Sequence, residues 1–408
     1  MRKRNITVGL DVGTSSIKAA IAEVFYDGTI NLLGITQVPS TGLRKGNIVD
    51  IESTAKSIDE CLVNLERLTG IEIYSAVIGF SSNNVTSINN HAIVAVGNRY
   101  NEISAEDKER VLQSAQNIAL PPDKTIVQVI ERQYIIDGYD GVKDPIGMVG
   151  SRLEAEIVTI IAATAALQNL YRSTQRINLQ VNNVYYNPLL ASESVLLPTE
   201  KEMGVVLVNL GAGITEISFF EKGNILYTSV LPIGGEYITK DLAIVLRTSI
   251  QEAERIKQEY GTANVNKASE EDKVTISNIY GNDTKQVSKR VIAEIISARV
   301  YEILEMIFSE FNRFDCVGKM PGGVVITGGG AHLNGIEEVI EDFFKVPVRL
   351  GYPDNIQGLP PEFRYPQYAN VIGAIQCGAR NLDISYQETQ GIFKVLDRIS
   401  YYFKDLFS

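Results

Sequence analysis

The chain has 408 residues, 45% hydrophobic and 21% charged, the balance of an ordinary soluble protein able to bury two or more cores. Its formal net charge of −11 argues against a nucleic-acid-binding body, which needs a basic face. Cys61, Cys316 and Cys377 are far apart with no C-x-x-C, and His91 and His332 have no partner motif, so a disulfide framework and a zinc cluster are not expected.

The first strand is expected directly after residues 1–5, leaving no room for a signal sequence. The longest apolar run, residues 157–167, is too short to span a membrane, so a cytosolic location is expected. Residues 8–11 form an apolar run ending in Asp11, followed by Gly13-Thr14-Ser15-Ser16 and an alternating stretch that contains Lys18. This reads as a β-hairpin whose small polar connection lets backbone N–H groups converge on an anion. Asp11 stands where a carboxylate can hold a divalent cation through water. A plain tight hairpin with a stray aspartate is the competing reading.

Ile51, Ala55, Ile58, Leu62 and Leu65 have helical spacing, closed by Gly70, and residues 71–80 return to strand. Residues 81–160 change texture. A strand over 85–96, a capping-box helix from Ser104 to about residue 119, and strands over 124–136 and 153–161 predict an α+β subdomain of its own, for docking or assembly. Residues 163–176 read as helix, 179–185 as strand, and Asn187-Pro188 opens a helix to residue 197.

Residues 205–215 then repeat the opening: an apolar strand reaches Asn209 and turns through Gly211-Ala212-Gly213-Ile214-Thr215. Asn209 falls on Asp11 and Gly211 on Gly13, a duplication at domain scale. Two such hairpins can clamp one phosphate chain from opposite sides. Glu254 and Lys257 share a helix face, either as a ribose and base contact or as a solvated ion pair. An apolar strand over 324–327 ends in Gly328-Gly329-Gly330, which allows close approach of a base or phosphate, or makes a simple turn before a helix from Gly335.

These motifs resemble those of the actin, sugar-kinase and heat-shock-chaperone superfamily. Asp11-Val12-Gly13-Thr14 is similar to its first phosphate motif, residues 209–215 to its second, and residues 326–330 to its adenosine motif. Ala253-Glu254-x-x-Lys257 with Gly261 looks like the ribose and adenine contact of bacterial actins. The insert with Pro145-Ile146-Gly147-Met148, the 234–241 stretch and the C-terminal tail look like the FtsA family of cell-division proteins.

The resemblance implies an α/β fold of duplicated, actin-like ribonuclease-H-like domains around a nucleotide cleft, with an inserted small α+β subdomain and a C-terminal amphipathic helix. The first core would take residues 5–80, 161–200 and 366–380, and the second 204–233 and 320–365. The insert at 81–160 would serve assembly, 234–319 would cap the nucleotide and dock partners, and 381–390 would link to a membrane-targeting helix at 391–408. ATP and Mg2+ are the implied cofactors, with Asp11 at the metal. Gly13, Thr14, Ser15, Ser16, Lys18 and residues 211–215 would meet phosphates; Gly234, Gly235, Glu254, Lys257 and Gly328 to Gly330 would complete the nucleotide contacts.

Asp11, Asn209 and Asn187 are the implied catalytic positions. Asn209 and Asn187 stand where relatives carry carboxylates, and an amide takes no proton, so the chain is expected to be at most a slow ATPase and Asn209→Asp to quicken it. The implied partners are the C-terminal tail of the tubulin-like protein FtsZ, further copies in filaments, other divisome proteins and an anionic membrane at the division site. An ATP-binding pilus-assembly protein of the PilM kind is the competing reading. A sugar kinase would need a general-base aspartate, and no residue stands out for it.

On a helical wheel from residue 392, Ile392, Phe393, Val395, Leu396, Ile399, Tyr402, Phe403, Leu406 and Phe407 fill one half, and Lys394, Asp397, Arg398, Lys404, Asp405 and Ser408 the other. Such a face packs on its own body or lies in a membrane interface, where one helix binds reversibly and several copies on a polymer bind stably.

Overall fold

The computed structural model describes residues 5–97 and 100–382; the expected amphipathic helix, with all nine of its apolar-face residues, and most of the expected linker lie outside these. Within them the chain folds as two halves with one topology. In the first sheet the strand order is Gln180–Tyr186, Ser75–Phe80, Ile6–Val12, Ser16–Val24, Ile30–Pro39. In the second it is Val348–Leu350, Val324–Thr327, Val205–Leu210, Thr215–Glu221, Asn224–Leu231. Each central strand runs parallel to one neighbour and antiparallel to the hairpin partner on its other side. The register matches too: Asp11 lies opposite Lys18, and Asn209 opposite Glu216.

The central strands read as continuous apolar runs because both of their faces are covered. In Val205–Leu210, Val206, Val208 and Leu210 enter one core, while Val205 and Leu207 point into the other. Burying each such side chain contributes about 1.5–3 kcal/mol. Helix Ile51–Thr69 begins at Asp50, whose carboxylate accepts from the Ser53 N–H at 3.1 Å, and ends at a left-handed Gly70. Its apolar stripe, Ile58, Cys61, Leu62 and Leu65, covers the first sheet. The helix opened by Asn187 stops at Val195, short of the expected residue 197, because Pro198 starts a separate short helix, Pro198–Met203.

The insert comprises Thr86–Ala95, helix Ala105–Gln116, Lys124–Ile136, Tyr139–Val142 and Arg152–Ala163. Ser104 and Asp107 form the expected capping box, and Val96, Ile103, Val111, Tyr134, Ile136 and Leu153 make a small core. It is nevertheless tied to both halves. A Ser229–Thr86 pairing joins its sheet to the second half's edge strand, giving nine strands in one sheet. Val158, Ile160 and Ala162, at the end of its last strand, are buried in the first half's core.

Between residues 234 and 319 lie helices Gly235–Leu246, Ile250–Tyr260 and Lys289–Arg313, and a hairpin of Lys273–Ser277 and Thr284–Ser288. The last helix and the hairpin are not among the elements expected from the sequence. Lys289–Arg313 buries Ile292, Ile296, Val300, Ile303, Ile307 and Phe311 along one stripe against the second half. Among the described residues no helix is long and apolar enough to cross a membrane.

Candidate functional site

A cleft of about 870 Å³ separates the halves, and both hairpin loops line it. The loops close the same way: Gly13 N–H donates to the Ser16 carbonyl at 3.2 Å, and Gly211 N–H to the Ile214 carbonyl at 3.0 Å. Gly13 to Ser16 with Lys18 line one wall, and Gly211 to Ile214 the other. The two loops touch, since a Cβ on Gly213 would sit 2.8 Å from Thr14 Oγ1. Thr14 Oγ1 also accepts from Gly46 N–H at 3.1 Å, in the small turn between Leu43–Arg44 and Asn47–Ile48. From that turn Lys45 crosses to place its ammonium 5.4 Å above the Tyr237 ring of the second half.

The cleft floor carries the charges. Asp11 is buried, 3.4 Å from the Lys18 ammonium, and accepts from Asn370 Nδ2 at 3.3 Å. In the second half the Asn209 amide donates to Glu216 Oε2 at 2.7 Å. Burial, with the Asp11 charge nearby, pushes the Glu216 carboxyl up from 4.5 to about 7, although hydrogen bonding from Ser81 and Asn209 works the other way. Glu216 Oε1, Asn187 Oδ1 and Asn370 Oδ1 are buried without a hydrogen-bond partner, and all three residues line the cleft. Glu216 is absent from the expected residues. The signal for it was an acidic residue at the start of an apolar strand, at the position that falls on Lys18 when the two hairpins are overlaid.

Gly328, Gly329 and Gly330 line the cleft; Gly328 is left-handed at φ 84°, and a Cβ on it would run into the Asn209 amide oxygen. Glu254 and Lys257 also line it and are paired at 2.7 Å, with the Lys257 ammonium 2.9 Å from Thr239 Oγ1 and 3.3 Å from the Gly235 carbonyl. Burial alone would raise the Glu254 carboxyl, but Lys257 and Thr239 outweigh it and hold it below its ordinary value. His332 lies on the same wall, its ring 5.2 Å from Tyr365 and its pKa lowered by burial.

Two expected contact residues are placed off the cleft. Thr215 is fully buried and its hydroxyl donates to the Ile233 carbonyl at 2.8 Å. Gly234 lies under the second loop, where a Cβ would be 2.5 Å from the Gly211 carbonyl. The helix that follows spends its first N–H groups on the loop: Gly235 N–H donates to Gly211 and Glu236 N–H to Ala212, both at 2.9 Å. Gly235 itself does line the cleft. Among the described residues no group of three or more His, Cys, Asp or Glu is gathered to hold a metal.

The family model "Cell division protein FtsA" matches residues 206–373, and that of the "SHS2 domain inserted in FTSA" matches residues 82–161. The chain is 37% identical over 371 residues to the cell division protein FtsA of Pseudomonas aeruginosa, covering 91% of this chain and 88% of that one. With the Bacillus subtilis protein of the same name it is 38% identical over 384 residues, 94% of this chain and 86% of the relative. Among solved structures, a PilM-PilN type IV pilus biogenesis complex has a TM-score of 0.67 at 16% identity, covering 92% of this chain and 99% of that one. MreB5 of Spiroplasma citri bound to ADP has a TM-score of 0.56 at 11% identity, over 94% of this chain and 98% of that one. At such identities the likeness is one of fold, which is the duplicated actin-like fold with its α+β insert. The pilus reading therefore has no support beyond that fold, whereas sequence identity reaches across nearly the whole chain, and the chain belongs to the FtsA family of cell division proteins.

Proposed function

We propose that this chain is an ATP-dependent membrane scaffold of cell division, which polymerises on the cytoplasmic membrane, holds the FtsZ ring there by its C-terminal tail and recruits other divisome proteins. The observation that carries the nucleotide part is the cleft floor, where loops of equal geometry meet across a space lined by unpartnered buried oxygens. Buried polar atoms without partners are rare and mark places that a ligand or ion completes. Thr14, Ser15 and the backbone of Gly211 to Gly213 would cradle phosphates, and Asp11 with Asn187 and Asn370 on the same cleft floor offers oxygen donors suited to Mg2+. ATP with Mg2+ would supply a phosphoryl group of high transfer potential and a charge bridge between the halves.

Lys18 neutralises Asp11, and the amides of Asn209 and Asn187 orient without accepting a proton, which favours holding the nucleotide over rapid turnover. Asn187, Asn209 and Asp11 are thus proposed as positioning groups of a slow ATPase. The partner and membrane parts rest on family membership and on the apolar face from Ile392 to Phe407.

Liposome co-sedimentation with ATP tests the reading, comparing the full chain with one stopped at Gln390 and adding an FtsZ tail peptide. The full chain is expected to pellet with anionic vesicles and carry the peptide down, while the shortened chain stays in solution. Equal pelleting of both would remove the tail as the anchor.

A further inference from the structure

We infer that Glu216, held by Asn209, accepts the proton of the water that attacks the terminal phosphate of a nucleoside triphosphate in this cleft, an assignment that rests on the nucleotide reading above. Phosphoryl transfer to water needs a group beside the water that can take its proton. Asn187, Asn209 and Asn370, the amides at the floor, cannot do so. Asp11 is already committed to Lys18 at 3.4 Å and to Asn370. Glu216 is the remaining carboxylate there, buried and facing the cleft, with no ion pair to a cation among the described residues.

Its two oxygens are differentiated. Oε2 is fixed by the Asn209 amide at 2.7 Å, while Oε1 makes no well-formed hydrogen bond; the Ser81 hydroxyl, which also lines the cleft, lies beside the carboxylate and leaves it able to receive a proton. This is the arrangement of a base with its orienting group. The titratable and charged groups that face Glu216 are Asp11 with its partner Lys18, and Tyr186, whose pKa burial and the Glu216 charge both raise. In the step itself the water oxygen bonds to the terminal phosphorus as the bond from that phosphorus to the bridging oxygen breaks. The electron pair leaves on the nucleoside diphosphate, and the water proton passes to Oε1 and then to solvent.

The test is single-turnover phosphate release from the full chain with saturating ATP and Mg2+, run beside nucleotide binding measured with a fluorescent ATP analogue. Glu216→Gln is expected to bind within about twofold of the parent and to lose about a hundredfold in release, the usual weight of a general base. Glu216→Asp, which keeps the carboxylate on a shorter arm, should recover part of the loss, and its recovery separates a chemical role from a folding defect. Binding by both proteins with equal release overturns the inference and leaves the nucleotide reading standing. Binding with no release from either protein does the same. Failure of the parent chain to bind the analogue overturns both.

Discussion

In the first hairpin Asp11 faces Lys18, and in the second Asn209 faces Glu216, at the same register of the same antiparallel pair. Everything that backbone geometry dictates is shared, down to the loop-closing bonds of 3.2 and 3.0 Å. The electrostatics are opposite. The first pair carries its own counterion into the interior, whereas the second buries a carboxylate against neutral groups, the Asn209 amide and the Ser81 hydroxyl. A duplicated fold thus supplies two equivalent seats, and the residues in them divide the work: one seat is charge-neutral before any ligand arrives, and the other stays responsive to protons and cations.

The sharpest way to break this comparison is to remove the internal counterion. Lys18→Met strands Asp11 in a site from which water is largely excluded, and losing one member of a buried pair costs about 3 kcal/mol or more. Urea unfolding at pH 7 should show that loss, and adding Asp11→Asn should restore part of it. A loss below about 1 kcal/mol would mean the pair is no better than a solvated one.

The second seat predicts a pH dependence of known sign. Folded Glu216 keeps its proton up to about pH 7, against an ordinary value of 4.5, so the folded state binds more protons between those values. Its contribution therefore makes stability fall as pH rises through that window, by about 3 kcal/mol in total, with no further change above it. Glu216→Gln removes this contribution. The variant should gain on the parent between pH 5 and pH 8 in urea midpoints, and parallel curves for the two proteins would show that Glu216 is ionised at both ends.

These charges explain what could and could not be read in advance. The hairpins, the duplication, the capping box at Ser104 and the Gly70 helix stop are local or periodic signals, and all stand in the structure. The helix Lys289–Arg313 gave no such warning, since Val291, Ile295 and Met306 lie beside its buried stripe and blur the period. Thr215 looked like a phosphate contact because it ends the glycine-rich loop; only the pleat, which alternates side chains across the sheet, reveals that its hydroxyl points at Ile233 instead. Glu216 was hidden for the converse reason. A single acid in an apolar strand carries no pattern, and its meaning comes from Asn209 beside it and Asp11 beyond.

The same geometry reverses one expectation. From sequence, Asn209→Asp supplies a missing carboxylate and should quicken hydrolysis. In the structure it replaces the donor that fixes Glu216 with a second carboxylate at hydrogen-bond distance, so the pair must share a proton. Phosphate release is expected to slow by about tenfold, equivalent to about 1.4 kcal/mol of barrier. Faster release would restore the simpler view of the second seat as an aspartate site with its charge removed.

The smallest effect tests whether the halves communicate across the cleft mouth as well as at its floor. Tyr237 has three cations near its ring: Lys240 at 5.0 Å and Arg299 at 5.8 Å from its own half, and Lys45 at 5.4 Å from the opposite one. Only the Lys45 contact must break if the cleft opens, because the turn that carries it belongs to the first half and is pinned to Thr14 through Gly46. A cation over a ring at a solvent-accessible site contributes about 0.5–1 kcal/mol, and the Tyr237 ring is partly buried. Lys45→Ala should therefore weaken nucleotide binding by about two- to fivefold, the conversion of that energy. Lys240→Ala, which removes an equivalent charge without crossing the cleft, should leave affinity where it was. Equal losses from the two variants would assign the effect to the local field at Tyr237, and the hairpin would then be a wall of the cleft with no part in closing it.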